Sequence, residues 1–149
     1  MDCYLVRHGE AVSDIVDPQR PLSPSGRQNV QQLARSAAAK NVQVSAIFHS
    51  GILRAQQTAE ILADRLSPAT GVKPISGLGP QDDPMIAKAE LDKAQTSIML
   101  VGHLPHLNRL VALLVNGDSE REGVDFAPAT MVCCSNDRSR WKITWTLTP

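Results

Sequence analysis

Apolar positions along this 149-residue chain follow two alternating rhythms. Short runs occur at residues 2–6 (DCYLV), Val44–Phe48, Val72–Ile75 and Ser97–Val101 (SIMLV). Runs of this length predict strands, buried on both faces if the sheet is parallel. Between them, apolar residues recur at spacings of three and four. Val30, Leu33, Ala34, Ala37 and Ala38 form one stripe, and Ala55, Ala59, Leu62, Ala63 and Leu66 a second. Leu107, Leu110, Val111 and Leu114 form a third. Each stripe reads as the buried face of a helix.

The punctuation fits these elements. Ser23 before Pro24 predicts an N-cap followed by proline at the first helical position. Ser67-Pro68 ends the second helix, and Gly102-His103 is read as opening the third. A short helix is predicted over Pro84–Leu91, after a loop from Gly77 to Pro84. Residues 9–22 and 116–128 read as loops. Ala129–Cys134 and Trp141–Leu147 predict a closing hairpin with Asn136–Arg140 as its turn. Trp141 and Trp145, four apart in a strand, are expected on one face, in the core. Strands alternating with helices predict an α/β fold: three α/β/α layers around a mostly parallel, mixed sheet with helices on both faces. No repeat, linker or low-complexity segment divides the chain, so residues 1–149 are expected to form one domain.

Composition narrows the function classes. The chain is 42% hydrophobic and 20% charged, with 15 basic and 15 acidic residues. Zero net charge gives no electrostatic reason to expect nucleic acid or a membrane surface as partner. No apolar stretch is long enough to span a bilayer. Asp2 and Arg7 bracket too short a run for a signal peptide, which predicts a cytoplasmic protein. Cys3, Cys133 and Cys134 have neither disulfide-framework nor zinc-ligand spacing. They read as small core hydrophobes in a reducing compartment.

The chemistry lies at strand ends, where open α/β sheets bind ligands. Arg7-His8-Gly9 follows the first strand. His49-Ser50 follows the second, with Arg54 one turn into the next helix, and Gly102-His103 follows SIMLV. Guanidinium forks match phosphate oxygens. A neutral imidazole is a nucleophile, and nearby arginines disfavour its protonation. A second histidine can donate to the charge on a transferring phosphoryl group, and a helix starting near His103 can add its dipole. These parts specify phosphoryl transfer through a phosphohistidine, with no metal or other cofactor required.

"LVRHGEA", "LRAQQTAEIL" and "LVGHLPHL", each in order at a strand end, resemble the histidine phosphatase superfamily, or phosphoglycerate mutase-like fold. With "DPQRPLSPSG" at 17–26 the resemblance covers most of the chain. Its compactness is similar to the SixA type of phosphohistidine phosphatase, whose open, shallow site admits a phosphorylated protein side chain. The resemblance implies His8 as nucleophile, Arg7, Arg54 and His103 as holders of the phosphoryl oxygens, and Arg20 as a further phosphate or substrate contact. Ser50 stands where the family often has a small polar residue; capping the following helix is its alternative role. The chain departs from the pattern at His49-Ser50-Gly51, where something closer to Ser-Ser-Pro is expected, and at His106, where a small residue is common. His49 and His106 are expected at the rim or behind the site, and Thr58 as a packing residue.

The general acid is open among Asp82, Asp83, Glu10 and Asp17. Larger relatives carry a glutamate after the third strand, where this chain reads "GLGPQDDP". An imidazole leaving group leaves protonated near neutral pH, so it needs an enzyme acid less than an alkoxide does. The resemblance to the SixA type implies a phosphorylated histidine-containing protein domain as substrate, and nothing in the sequence demands more than a monomer. A small phosphate ester (a sugar or nucleotide monophosphate) is the rival. A non-catalytic phosphoprotein-binding module is disfavoured by the complete set of two arginines and two histidines. Mutase activity is disfavoured because no length is spare for a lid. A metallohydrolase is disfavoured because arginines repel a cation.

Overall fold

The computed structural model describes residues 1–121, 124–138 and 140–149. In chain order the elements are β1 (Asp2–Arg7), α1 (Pro24–Ala39), β2 (Ala46–His49), α2 (Leu53–Leu66), β3 (Val72–Pro74), α3 (Pro84–Lys93), β4 (Ile98–Gly102), α4 (His106–Asn116), β5 (Met131–Asp137) and β6 (Arg140–Leu147). The six-stranded sheet has the order β3-β2-β4-β1-β5-β6. β1, β4, β2 and β3 run parallel, and β5 runs antiparallel to both β1 and β6. The expected mixed α/β sheet is present.

Alternation along the strands divides the core. Tyr4 and Val6 of β1 face α1 and α2, packing with Val30, Leu33, Ala59 and Leu62. Cys3 and Leu5 face α3 and α4, packing with Leu91, Leu107 and Leu110. Two helices therefore cover each face. The cysteines are buried and free, and burial raises the pKa of each thiol, as expected of core residues.

Helix α1 begins where expected. The Ser23 hydroxyl accepts from the Gly26 amide at 3.0 Å, and Pro24 occupies the first helical position. Such a cap is worth about 1 kcal/mol. Helix α4 starts later than read, at His106 rather than at Gly102-His103. Gly102 still belongs to β4, and Leu104 precedes Pro105, which disfavours helical backbone at that residue. The hairpin is also tighter than read: β5 extends through Asp137 and pairs with Arg140. The remainder of that turn includes Ser139, outside the described residues.

The tryptophans do not share a face. Register shifts between Cys133 and Cys134, so that Cys133 opposes Trp145 while Cys134 opposes Ile143. The extra residue inverts the side-chain parity of β6. Trp145 packs against Tyr4 and beneath the Lys40 ammonium on the α1/α2 face. Trp141 is buried on the other face, its indole N–H donating to Asp92 at 3.0 Å.

Candidate active site

β4 lies between β1 and β2, so the carboxyl ends of all three strands are side by side. This adjacency brings Arg7-His8, His49-Ser50 and His103 together. Neighbours on both sides hold the end of β1. The His8 amide donates to the Gly102 carbonyl at 3.0 Å, and the Arg7 amide donates to Thr130 at 3.0 Å. Gly9 follows because nothing larger fits: a Cβ there would lie 2.7 Å from Cγ2 of Val30.

His8 is buried and its Nδ1–H donates to the Gly9 carbonyl at 2.7 Å. A carbonyl only accepts, so the proton sits on Nδ1 and the lone pair on Nε2. Burial lowers the pKa of His8 to about 4; the Gly9 carbonyl opposes this, and Arg54, Arg7 and Arg20 reinforce it. The arginines act as expected, but desolvation is the larger cause. The His103 ring lies 5.0 Å from that of His8, centroid to centroid. Burial lowers its pKa to about 3, helped by His8, Arg54, His106 and Arg7.

Arg7 is fixed by a 2.8 Å bond from a terminal guanidinium nitrogen to the Phe126 carbonyl. Arg54 is the second residue of α2, closer to the helix start than read. A cation is unfavourable there by about 0.3–1 kcal/mol, because the helix N-terminus is itself positive. The N-cap residue, Ile52, makes no side-chain cap bond either. An anion at this end would offset the positive charge of both the helix N-terminus and the guanidinium. Among the described residues, Arg7 Nε, Arg54 Nε and His103 Nδ1 are buried without a hydrogen-bond partner.

Ser50 does not cap α2. Its hydroxyl oxygen accepts from the Ile52 amide at 3.2 Å and pairs with His103 Nε2 at 2.7 Å. Arg20 sits on the β1–α1 loop, its Nε–H donating to the Val12 carbonyl at 3.1 Å, near enough for its charge to oppose protonation of His8 and Arg54.

The four carboxylates have local partners. Glu10 accepts from the hydroxyls of Ser23 at 3.0 Å and Ser25 at 3.2 Å, tying the cap of α1 to β1. Asp17 accepts from the Gln19 amide at 3.0 Å. Asp82 accepts from the Gly79 amide at 2.8 Å. Asp83 caps α3 through the Met85 amide at 3.0 Å. None of the four is hydrogen-bonded to the arginines or histidines of the cluster.

His49 is buried, and its Nδ1 accepts from the Gly51 amide at 3.0 Å, where the chain turns at a φ of 88°. His106 is fully buried behind His103, and burial lowers its pKa. Two positioning groups escaped the sequence reading. Thr58 is fully buried, and its hydroxyl is hydrogen-bonded rather than merely packed. Phe126, buried inside a segment read as polar loop, presents the carbonyl that holds Arg7. A lone aromatic in a polar run was the available signal for Phe126. No side-chain pattern announces a backbone carbonyl.

The sequence model of the histidine phosphatase superfamily (branch 1) matches residues 3–78, just over half of the chain. Phosphohistidine phosphatase SixA of Escherichia coli (strain K12) is 29% identical over 124 residues, covering 80% of this chain and 77% of that protein. A protein of Picosynechococcus is 32% identical over 127 residues, covering 80% of this chain and 76% of that one. The solved structure of the protein histidine phosphatase SixA complexed with tungstate superposes with a TM-score of 0.88 at 25% identity, over 99% of this chain and 97% of that one. A mycobacterial glucosyl-3-phosphoglycerate phosphatase in complex with VO3 shares the fold, with a TM-score of 0.71 at 16% identity over 97% of this chain and 98% of that one.

Proposed function

Because the chain belongs to the histidine phosphatase superfamily, we propose that it hydrolyses phosphohistidine on a signalling or phosphotransfer protein, through a phosphoryl intermediate on His8 and without a metal. One observation carries this reading. A neutral, tautomer-fixed His8 stands among three buried nitrogens that have no protein partner: the guanidinium donors Arg7 Nε and Arg54 Nε, and the ring nitrogen His103 Nδ1. Orphaned donors of this kind cost about 1–3 kcal/mol each if they stay unpaired. Phosphoryl oxygens are the acceptors that suit them.

The mechanism has two displacements. His8 Nε2 attacks phosphorus in line, and the N–P bond to the substrate imidazole breaks. Arg7, Arg54 and His103 stabilise charge on the equatorial oxygens. With the Ser50 hydroxyl as donor to His103 Nε2 in their 2.7 Å pair, the His103 proton is on Nδ1, and that nitrogen is the donor to the phosphoryl group. Water then attacks phosphorus, breaks the N–P bond to His8 and releases inorganic phosphate. Arg20 is a further substrate contact at the rim. The departing imidazole takes a proton near neutral pH, which agrees with the local engagement of Glu10, Asp17, Asp82 and Asp83.

We further read residues 1–149 as one catalytic domain that acts as a cytoplasmic monomer. Three buried, unpaired thiols support a reducing compartment. Among the described residues, no helix is long and apolar enough to cross a membrane. The second reading is a small-molecule phosphatase, favoured by the shared fold of the glucosyl-3-phosphoglycerate enzyme.

The test is phosphate release from phosphohistidine-bearing protein domains and from a panel of small monoesters. Wild type and His8→Ala are compared, both in chelator. Release from the protein substrates, abolished by His8→Ala, is the expected result. Preference for a small ester would move the enzyme to the second reading. Activity surviving His8→Ala would remove the mechanism.

A further inference from the structure

The loop between β1 and α1 is an ordered structure whose tip the fold does not use. Its root is closed by the Ala11–Leu22 bridge and by the Val12 amide donating to Pro21 at 2.9 Å. At the tip, the amides of Val16 and Asp17 both donate to the Ser13 carbonyl at 3.1 Å. On this hydrogen-bonded turn Ile15 is 93% exposed and Val16 74% exposed. Neither belongs to either core cluster. Burying a side chain of this size is worth about 1.5–3 kcal/mol, and here two adjacent ones stand in water. A single exposed aliphatic is ordinary. An adjacent pair held out by a bonded turn marks a contact surface.

The same loop carries Arg20, anchored on the Val12 carbonyl and near enough for its charge to act on His8 and Arg54. One loop therefore joins the phosphoryl site to an apolar tip. We propose that Ile15 and Val16 are a docking contact for the protein substrate, engaging apolar surface beside its phosphorylated histidine while Arg20 and His8 engage the phosphoryl group. This rests on the protein-phosphohistidine reading above and assigns part of its recognition surface.

Chain length sets the scale. Val16 and Arg20 are four positions apart, so the tip lies within roughly 14 Å of the Arg20 backbone. A folded domain burying about 800 Å² on its own side covers both places. Asp14 and Asp17 flank the tip, so the matching rim on the partner is basic rather than acidic.

The experiment compares wild type, the double variant Ile15→Ser/Val16→Ser, and Ile143→Ser as a surface control on β6. Substrates are a set of phosphotransfer domains phosphorylated on histidine, and phosphoramidate as a small N–P compound. The double variant is expected to raise KM for the protein substrates about tenfold with kcat unchanged, and to leave phosphoramidate hydrolysis unchanged. Ile143→Ser is expected to change neither. An unchanged protein KM in the double variant overturns the docking role alone. An equal loss on phosphoramidate overturns it too, because the tip would then be supporting the site rather than the partner. Wild type that cleaves phosphoramidate but none of the proteins removes the protein-phosphatase reading, and the docking role with it.

Discussion

The Gly9 amide donates to the Thr58 hydroxyl at 3.1 Å, and that hydroxyl donates onward to the Arg54 carbonyl at 2.8 Å. A single buried oxygen thus ties the backbone after His8 to the first turn of the helix that carries Arg54. Thr58→Val keeps the shape and removes both bonds, leaving a buried N–H unpaired at about 1–3 kcal/mol. The expected outcome is a Tm lowered by several degrees and a kcat reduced about tenfold or more, since small misplacements near reacting atoms are costly. Thr58→Ser should retain most of both. Denaturation curves and steady-state kinetics check this, and a Thr58→Val enzyme with wild-type kcat removes the positioning role.

Gly9→Ala places a methyl against Val30, 2.7 Å from its Cγ2. Activity should fall at least tenfold, because the peptide that holds His8 Nδ1 must move. Val30→Ala in the same chain empties that space and should recover part of the loss. No recovery in the double variant would assign the defect to the Gly26 carbonyl, 3.1 Å from the same position, rather than to Val30.

Acid should destabilise this protein earlier than carboxylate titration alone would. His8 and His103 titrate at about 4 and about 3 in the fold, against 6.5 for an unperturbed histidine. Below about pH 6.5 the unfolded chain takes up protons that the fold excludes, so stability falls as pH falls. The contribution is complete above pH 6.5 and is lost as pH drops through about 4. His49 and His106 act in the same direction. Tm measured from pH 8 to pH 4 should decline below 6.5, and less steeply in His8→Asn. Formation of the phosphoenzyme should stay level from pH 8 to 5, because Nε2 keeps its lone pair over that range.

The carboxylates should separate by substrate. Glu10→Gln, Asp17→Asn, Asp82→Asn and Asp83→Asn, made singly, should each keep phosphohistidine hydrolysis within about threefold. Turnover of alkyl phosphates should be the more sensitive readout. Asp83→Ala should also lower stability by about 0.5–2 kcal/mol through loss of the α3 cap. Collapse of phosphohistidine turnover in any single variant would identify the general acid and end the claim that none is needed.

Much of this was legible in the chain. Arg7, His8 and His103 stand at strand ends and Arg54 in the first turn of the helix after β2, and their residue types point to phosphate chemistry before any coordinates. Ser23-Pro24 located α1 because a cap and a proline act locally. What stayed hidden depends on non-local geometry. The hydroxyl of Thr58 and the carbonyl of Phe126 matter through partners 49 and 119 residues away. The roles of Glu10 and Asp83 are set by the amides and hydroxyls that reach them, so as isolated carboxylates they could not be told from acids. The start of α4 at His106 follows from Leu104-Pro105, which keeps the backbone before the proline out of the helix, and not from Gly102-His103, whose glycine still belongs to β4. A bulge leaves no mark in a pattern of alternating residues, so the separation of Trp141 from Trp145 could not be seen.

That irregularity in β6 leaves the molecule with a built-in pair of optical reporters. The chain has two tryptophans, and the extra residue puts one on each side of the sheet. Emission from Trp145, beside Tyr4 and Lys40, follows the α1/α2 layer. Emission from Trp141, bonded to Asp92, follows the α3/α4 layer. With Trp141→Phe and Trp145→Phe chains, denaturant transitions that coincide would mean the two layers melt as one unit. Transitions that part would show which side of the sheet lets go first.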